Sequence, residues 1–182
     1  MGNREDLLGA AKRCLEDKGY ARTTARDVAT AAGVSLAAIG YHYGSKEALL
    51  QAALRQALEE WGDDLSRRLA SAPVHDDPAK RFAALWNRVV ESFAANPSLW
   101  RVQFEVLAQP DLRALFGEAH REARLGLTEM FGGAPEGEEA RVGALYQALL
   151  SGLAAIWLAD PAGTPDGDDL LAAIRAVAST LH

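Results

Sequence analysis

The chain has 182 residues, with 19 basic and 25 acidic side chains, a formal net charge of −6, 49% hydrophobic residues and 24% charged ones. A chain of this length buries on the order of 70% of its unfolded surface and needs neither disulfide nor metal to fold. Its composition excludes a disordered or collagen-like polymer. Alanine (36) and leucine (25) far outnumber valine (9) and isoleucine (3), which favours helix over sheet and predicts an all-α fold. The single cysteine, Cys14, permits no intrachain disulfide and points to a reducing compartment, hence a cytoplasmic location. The charged start, Met1 to Asp6, lacks the apolar core of a secretory signal, and Asp6 stands where a myristoylation signal needs Ser or Thr. No repeat or low-complexity tract interrupts the sequence.

Charge is unevenly spread. Residues 1–47 hold seven Lys/Arg and six Asp/Glu, net +1, and the remainder holds 12 and 19, net −7. Only the N-terminal end suits a polyanionic partner.

In chain order, the first helix is expected from about Arg4 to Lys18, with Leu8, Ala11, Cys14 and Leu15 inward, so Cys14 reads as a small buried hydrophobe. A second helix over Ala25–Ala32 is capped by Thr24, with Asp27 in the [ST]-x-x-[DE] arrangement, and ends at Gly33 in a left-handed turn. A third, Leu36–Tyr43, is capped by Ser35 and turns Ile39 inward. Two short helices joined through a glycine turn and packed on a preceding helix make a helix-turn-helix, here spanning Thr24 to Tyr43. The third helix contains no acid to repel phosphate. Leu36 and Ala38 are candidates for thymine methyl contacts, Tyr41 and His42 for phosphates, Arg26 for a guanine edge or a phosphate, and the capping residues Thr24 and Ser35 belong to the same DNA-binding set. Ser45 caps a fourth helix, Lys46 to about Ala70, whose first amides and Lys46 suit a phosphate.

Five further helices are expected to begin near Pro78, Pro97, Asp111, Glu138 and Asp168, with proline at first helical positions after Asp77, Asn96 and Gln109. The fifth carries an apolar stripe of Phe82, Leu85, Trp86, Val89, Val90 and Phe93. From Val142 to Ala159 run 18 residues without a charge. That is the lower limit for a membrane span, but Gln147, diluting Ala and Gly, and the lack of a flanking basic cluster argue against one. A helix apolar all round needs cover on both sides. An identical subunit is the expected cover on one side, with Gly143, Ala148, Gly152 and Ala155 allowing close approach, and Leu170, Leu171, Ile174, Val177, Ala178 and Leu181 of the last helix completing the surface. A monomeric bundle is the alternative.

The stretch from Gly19 to Leu50 resembles the TetR family of transcription regulators. The matching positions are Gly19-Tyr20, Thr23-Thr24, Val28-Ala29, Ala32-Gly33-Val34-Ser35, Ile39-Gly40, His42-Tyr43 and Lys46-Glu47-Ala48-Leu49, with Leu7-Leu8 and Ala10-Ala11 upstream. Gly40 departs from the usual Tyr, which in the family touches the DNA backbone. The resemblance implies a DNA-binding head over residues 1–47 and a helical effector-binding and dimerisation domain over 48–182. It also implies a homodimer through the last two helices (Leu145, Leu149, Gly152, Ile156, Ile174 and Val177) and repression of a palindromic double-stranded operator, relieved by an unidentified small molecule. Trp86, Phe93, Trp100 and Phe104 are the foremost candidates for the effector cavity among the fourth to seventh helices, with Phe116 and Trp157 behind them. Arg88, Arg101, Gln103, Glu105 and His120 could supply polar groups there.

An enzyme fits poorly. No histidine has Glu three residues before it, no two glycines stand in Gly-x-Gly spacing, and no phosphate loop ends in Gly-Lys-Ser/Thr. No cofactor and no metal are expected. A DNA-independent adaptor that binds partners through its apolar helices is the third reading.

Overall fold

A computed structural model describes residues 3–72, 75–109 and 123–181. The helix expected near Asp111, and with it Phe116 and His120, lies outside the described residues. The elements are α1 (Asn3–Lys18), α2 (Ala25–Ala32), α3 (Ala37–Tyr43), α4 (Lys46–Ala70), α5 (Pro78–Ala95), α6 (Pro97–Leu107), helical residues 123–130 (α7), α8 (Glu139–Ala159) and α9 (Gly167–Thr180). The class is all-α, with no strand among the described residues.

Contacts divide the chain into two compact units, Met1–Gly62 with Pro97–Arg113, and Asp63–Asn96 with Ala114–His182. Within the first, α6 packs on α1. In the first unit α1 buries Leu7, Ala10, Ala11, Cys14 and Leu15, and Leu7 takes the inward place that was expected of Leu8, which is half-buried. Burial, and secondarily the Asp27 carboxylate, push the Cys14 thiol up, which keeps it protonated and unreactive. Against α1 lies α2, burying Val28 and Ala29. Trp61 of α4 meets Trp100 of α6 edge to face, centroids 4.9 Å apart.

The second unit is built around Trp86 of α5, which is fully buried and stacked on Phe131 at 4.9 Å, with Tyr146 of α8 tilted against both rings. Two glycines let backbones touch. A Cβ at Gly143 would fall 2.2 Å from the Arg124 carbonyl oxygen, and one at Gly167 would fall 1.9 Å from that of Ala83. Gly143 therefore faces its own unit, which corrects its expected place on a partner-facing side. The Arg124 guanidinium docks on α8 by donating to Gln147 Oε1 at 2.7 Å.

Among the described residues α8 is the one helix long and apolar enough to cross a membrane, and 22% of its most apolar window is buried within the chain. Leu145 (55%) and Ile156 on α8 are exposed, as are Ile174 and Val177 (60%) on α9. Gly152, Ala148 and Ala155 are exposed beside them, while Leu149, Leu170 and Leu171 are half-buried. So much uncovered apolar surface on adjacent chain segments marks an interaction face.

Candidate nucleic-acid interface

The interface starts at the entry to α2. Thr24 Oγ1 accepts from the Asp27 N–H at 3.1 Å, and the Asp27 carboxylate accepts from the Thr24 N–H at 2.9 Å, closing a reciprocal capping box. Lys18, at the end of α1, donates to the same carboxylate at 2.6 Å. Lys18 first, then Thr24, hold the Asp27 carboxyl well below the usual carboxylate range. The folded value lies below the unfolded one, so the stabilisation is present above the unfolded value and lost as pH falls through the folded one. Asp27→Asn is expected to lower the melting temperature at neutral pH, with the difference from wild type closing in strong acid, where both side chains are neutral. Melting curves of the two proteins across an acid titration check this, and a gap independent of pH would contradict it.

Gly33 ends α2 with φ 69°, a left-handed turn that costs glycine least, and its N–H reaches the carbonyls of Ala29 and Thr30. Next, α3 starts at Ala37, not Leu36, and has no side-chain cap. The predicted Ser35 cap is not made. Leu36 already has helical φ and ψ, and the carbonyls of Ser35 and Leu36 accept from the amides of Ala38 and Ile39, three residues on. That tight first turn occupies the groups a side-chain cap would have served.

One residue anchors α3, Ile39, which is buried. The opposite side faces solvent: Leu36 is 52% exposed and Tyr41 86% exposed, with Gly40 also exposed and Ala38 and His42 half-buried, and Arg26 on α2 is exposed as well. The rings of Tyr41 and His42 stand edge to face, centroids 4.8 Å apart. A Cβ at Gly40 would meet nothing within 4 Å, so space does not require the glycine. Tyr43 turns away from this surface, donating its hydroxyl to the Arg4 carbonyl at 2.9 Å beneath the Arg4 guanidinium.

At the start of α4, Ser45 Oγ accepts from the Ala48 N–H at 3.0 Å. Here the anion site is partly taken. The Glu47 carboxylate, pulled down by its own backbone N–H and then by Lys46, lies 3.3 Å from Lys46 Nζ, which also points at the Thr23 carbonyl. A phosphate at this helix end would have to share Lys46 with Glu47. The two carboxylates flanking α3 in sequence, Asp27 and Glu47, are thus each paired with a lysine, which limits their repulsion of a polyanion.

The four effector candidates fall in both units. Trp86 and Phe93 are buried in the second, and in the first Trp100 is buried and Phe104 half-buried. In the second unit Trp157 is half-buried, its ring 6.2 Å from that of Phe93. Among the polar candidates, Arg88 pairs with Glu91, and Gln103 is buried. Arg101 and Glu105 bond to α1 and the turn after it rather than to a cavity, which corrects their expected place. Nothing in the sequence announces those bonds across some 85 positions. Among the described residues no group of three His, Cys, Asp or Glu could hold a metal.

Residues 7–53 match the family described as bacterial regulatory proteins, tetR family. The transcriptional regulator BetI 1 of Chromohalobacter salexigens is 30% identical over 116 residues, 62% of this chain and 56% of that protein. The chain thus spans little more than half the length of this relative, and less than half of others such as TtgR of Pseudomonas putida, 30% of which is covered. Among solved structures, SCO7518 of Streptomyces coelicolor A3(2) aligns over 96% of this chain and 97% of its own with a TM-score of 0.72, at 24% identity, a likeness of fold. The multidrug binding protein EbrR, solved with imidazole, aligns over 93% of this chain and 87% of its own with a TM-score of 0.67 and 27% identity. The curated relatives are named as regulators of transcription.

Proposed function

The chain belongs, through residues 7–53, to the TetR family of bacterial regulatory proteins, and on that premise we propose that it is a cytoplasmic repressor that binds a palindromic operator as a homodimer and leaves it when a small molecule binds. The observation that carries this reading is α3 itself: seven residues without an acid, fixed by buried Ile39, with Tyr41 standing 86% exposed at its far end. Tyr41, His42, Arg26 and Lys46 hold phosphates or base edges, Leu36 and Ala38 meet thymine methyls, and the amides at the starts of α2 and α4 face the backbone. The exposed faces of α8 and α9 pair two copies, so that two α3 helices enter successive major grooves about 34–36 Å apart. The effector reading is supported by family membership and by EbrR, a multidrug binding protein. A ligand that favours one arrangement of the two heads shifts the population away from DNA by its differential affinity, and no further.

Replacing Tyr41 and His42 together by Ala is expected to weaken binding about 10- to 100-fold on every operator sequence, since hydrogen bonds to charged phosphates are lost. The melting temperature should stay unchanged, because Tyr41 is exposed and His42 half-buried. Titration of labelled duplexes at several salt concentrations, with a parallel thermal melt, reads both. An unfolded double variant would show that the faces of α3 are wrongly assigned. Unchanged binding would show that α3 does not touch DNA. For the effector, metabolite extracts are titrated into the protein–operator complex, and failure of every fraction to release DNA would leave a repressor without a ligand.

A further inference from the structure

We propose that Arg101 and Glu105 of α6 are positioning residues for DNA reading: together they latch α6 onto the end of α1 and the turn into α2, and so fix the entry to the helix-turn-helix. This rests on the DNA-binding reading of α3. The Glu105 carboxylate spends one oxygen on each of two backbone donors, accepting from the Tyr20 N–H at 2.9 Å and the Ala21 N–H at 2.7 Å. One turn earlier on α6, Arg101 donates to the Glu16 carbonyl at 2.9 Å. That carbonyl is in the last turn of α1, where carbonyls lack a helical partner and the helix end carries partial negative charge. A cation thus sits on the end of α1 and an anion on the amides of the turn that follows.

The turn is shaped for this carboxylate. Gly19 has φ +80°, a left-handed backbone that favours glycine, and a Cβ there would crowd Glu105 Oε2 at 2.8 Å, so the turn and the carboxylate fit each other. Directly after it, Thr23 is buried with its hydroxyl donating to the Gly19 carbonyl at 2.6 Å, and Thr24 caps α2. Whatever fixes residues 19–21 therefore fixes the start of α2, and through the Gly33 turn the direction of α3. On the same helix Trp100 packs against Trp61, and Asn96 alone separates α6 from α5 in the chain.

The test compares wild type with Glu105→Ala, Glu105→Gln and the double variant Arg101→Ala/Glu105→Ala by hydrogen exchange, well below the melting temperature. The probe is a DNA duplex selected by the wild-type protein from a random pool. In the protein alone, Glu105→Ala should speed exchange over residues 19–43 at least tenfold, for the loss of two charge-assisted bonds, and leave 78–95 and 139–159 as they are. Its affinity for the duplex should fall by a similar factor, and Glu105→Gln, which keeps one carbonyl acceptor, should recover part of both. Because coupling is reciprocal, bound duplex should slow exchange over 97–107 in wild type and not in the double variant. The proposal is overturned if Glu105→Ala leaves 19–43 and duplex affinity untouched, if it loosens both units alike, or if bound duplex leaves 97–107 of wild type unaffected. Should no duplex be selected, the DNA reading fails, and exchange over 19–43 still decides whether the latch orders the turn.

Discussion

Aspartate at both Leu145 and Val177 is expected to yield a folded single chain that no longer holds an operator. The two side chains are 55% and 60% exposed on α8 and α9, so within one chain the substitutions exchange apolar surface in water for charge in water, and the melting temperature of the isolated subunit should not fall. Across a twofold interface the same change puts four carboxylates into an apolar contact, where each loses solvation without gaining a partner. Loss of the pair removes the second half-site contact, which in the dimer acts at an effective concentration near millimolar. Apparent affinity for a palindrome should therefore drop by roughly 10²–10⁴. Sedimentation and duplex titration of the double variant read both effects. A variant that stays dimeric with full affinity would place the interface elsewhere.

Gly167→Ala is expected to be among the most damaging single methyl additions in the second unit. A first-turn helical position would normally welcome alanine, by up to about 1 kcal/mol. Here the added carbon would lie 1.9 Å from the Ala83 carbonyl oxygen, a backbone atom that no rotamer change can move, and the Gly167 N–H is already committed to Asn87 Oδ1 at 2.6 Å. Relief requires α9 to back away from α5, at a cost of about 3 kcal/mol or more, the upper end for an overpacked core. Gly126→Ala is the matched control: it is exposed on α7 and its Cβ would meet nothing within 4 Å, so the chain should be unharmed. Thermal melts of both variants decide, and equal behaviour would show that the α5–α9 contact is looser than described.

The head was legible because each of its signals has a local cause. Thr24 and Asp27 are three residues apart, as a capping box requires, and Gly33 takes the left-handed turn its lack of Cβ allows. Ile39 alone among the aliphatic residues of α3 turns inward. Elsewhere, competing partners that leave no mark in the sequence decide the contacts. Ser35 lost its capping role because backbone carbonyls already served the first turn of α3. Lys46 is shared with Glu47, its neighbour in the chain, because the helix start draws the carboxylate inward. Gly143 looked like a partner-facing glycine, but period alone cannot say which side of an all-apolar helix meets its own chain, and the Arg124 carbonyl occupies that side. Arg101 and Glu105 looked like polar groups for a cavity, while their real partners stand some 85 positions away. Such long-range pairs leave no periodic trace.

Selection of duplexes from a random pool by the purified protein, followed by mass measurement of the selected complex, bears most directly on whether two copies of α3 read DNA side by side. The expected result is enrichment of an inverted repeat whose half-site centres lie one helical turn apart or a multiple of it, with an even number of chains on each duplex and an affinity that falls steeply with salt. A pool that stays random, or a complex holding one chain on an asymmetric site, would contradict it.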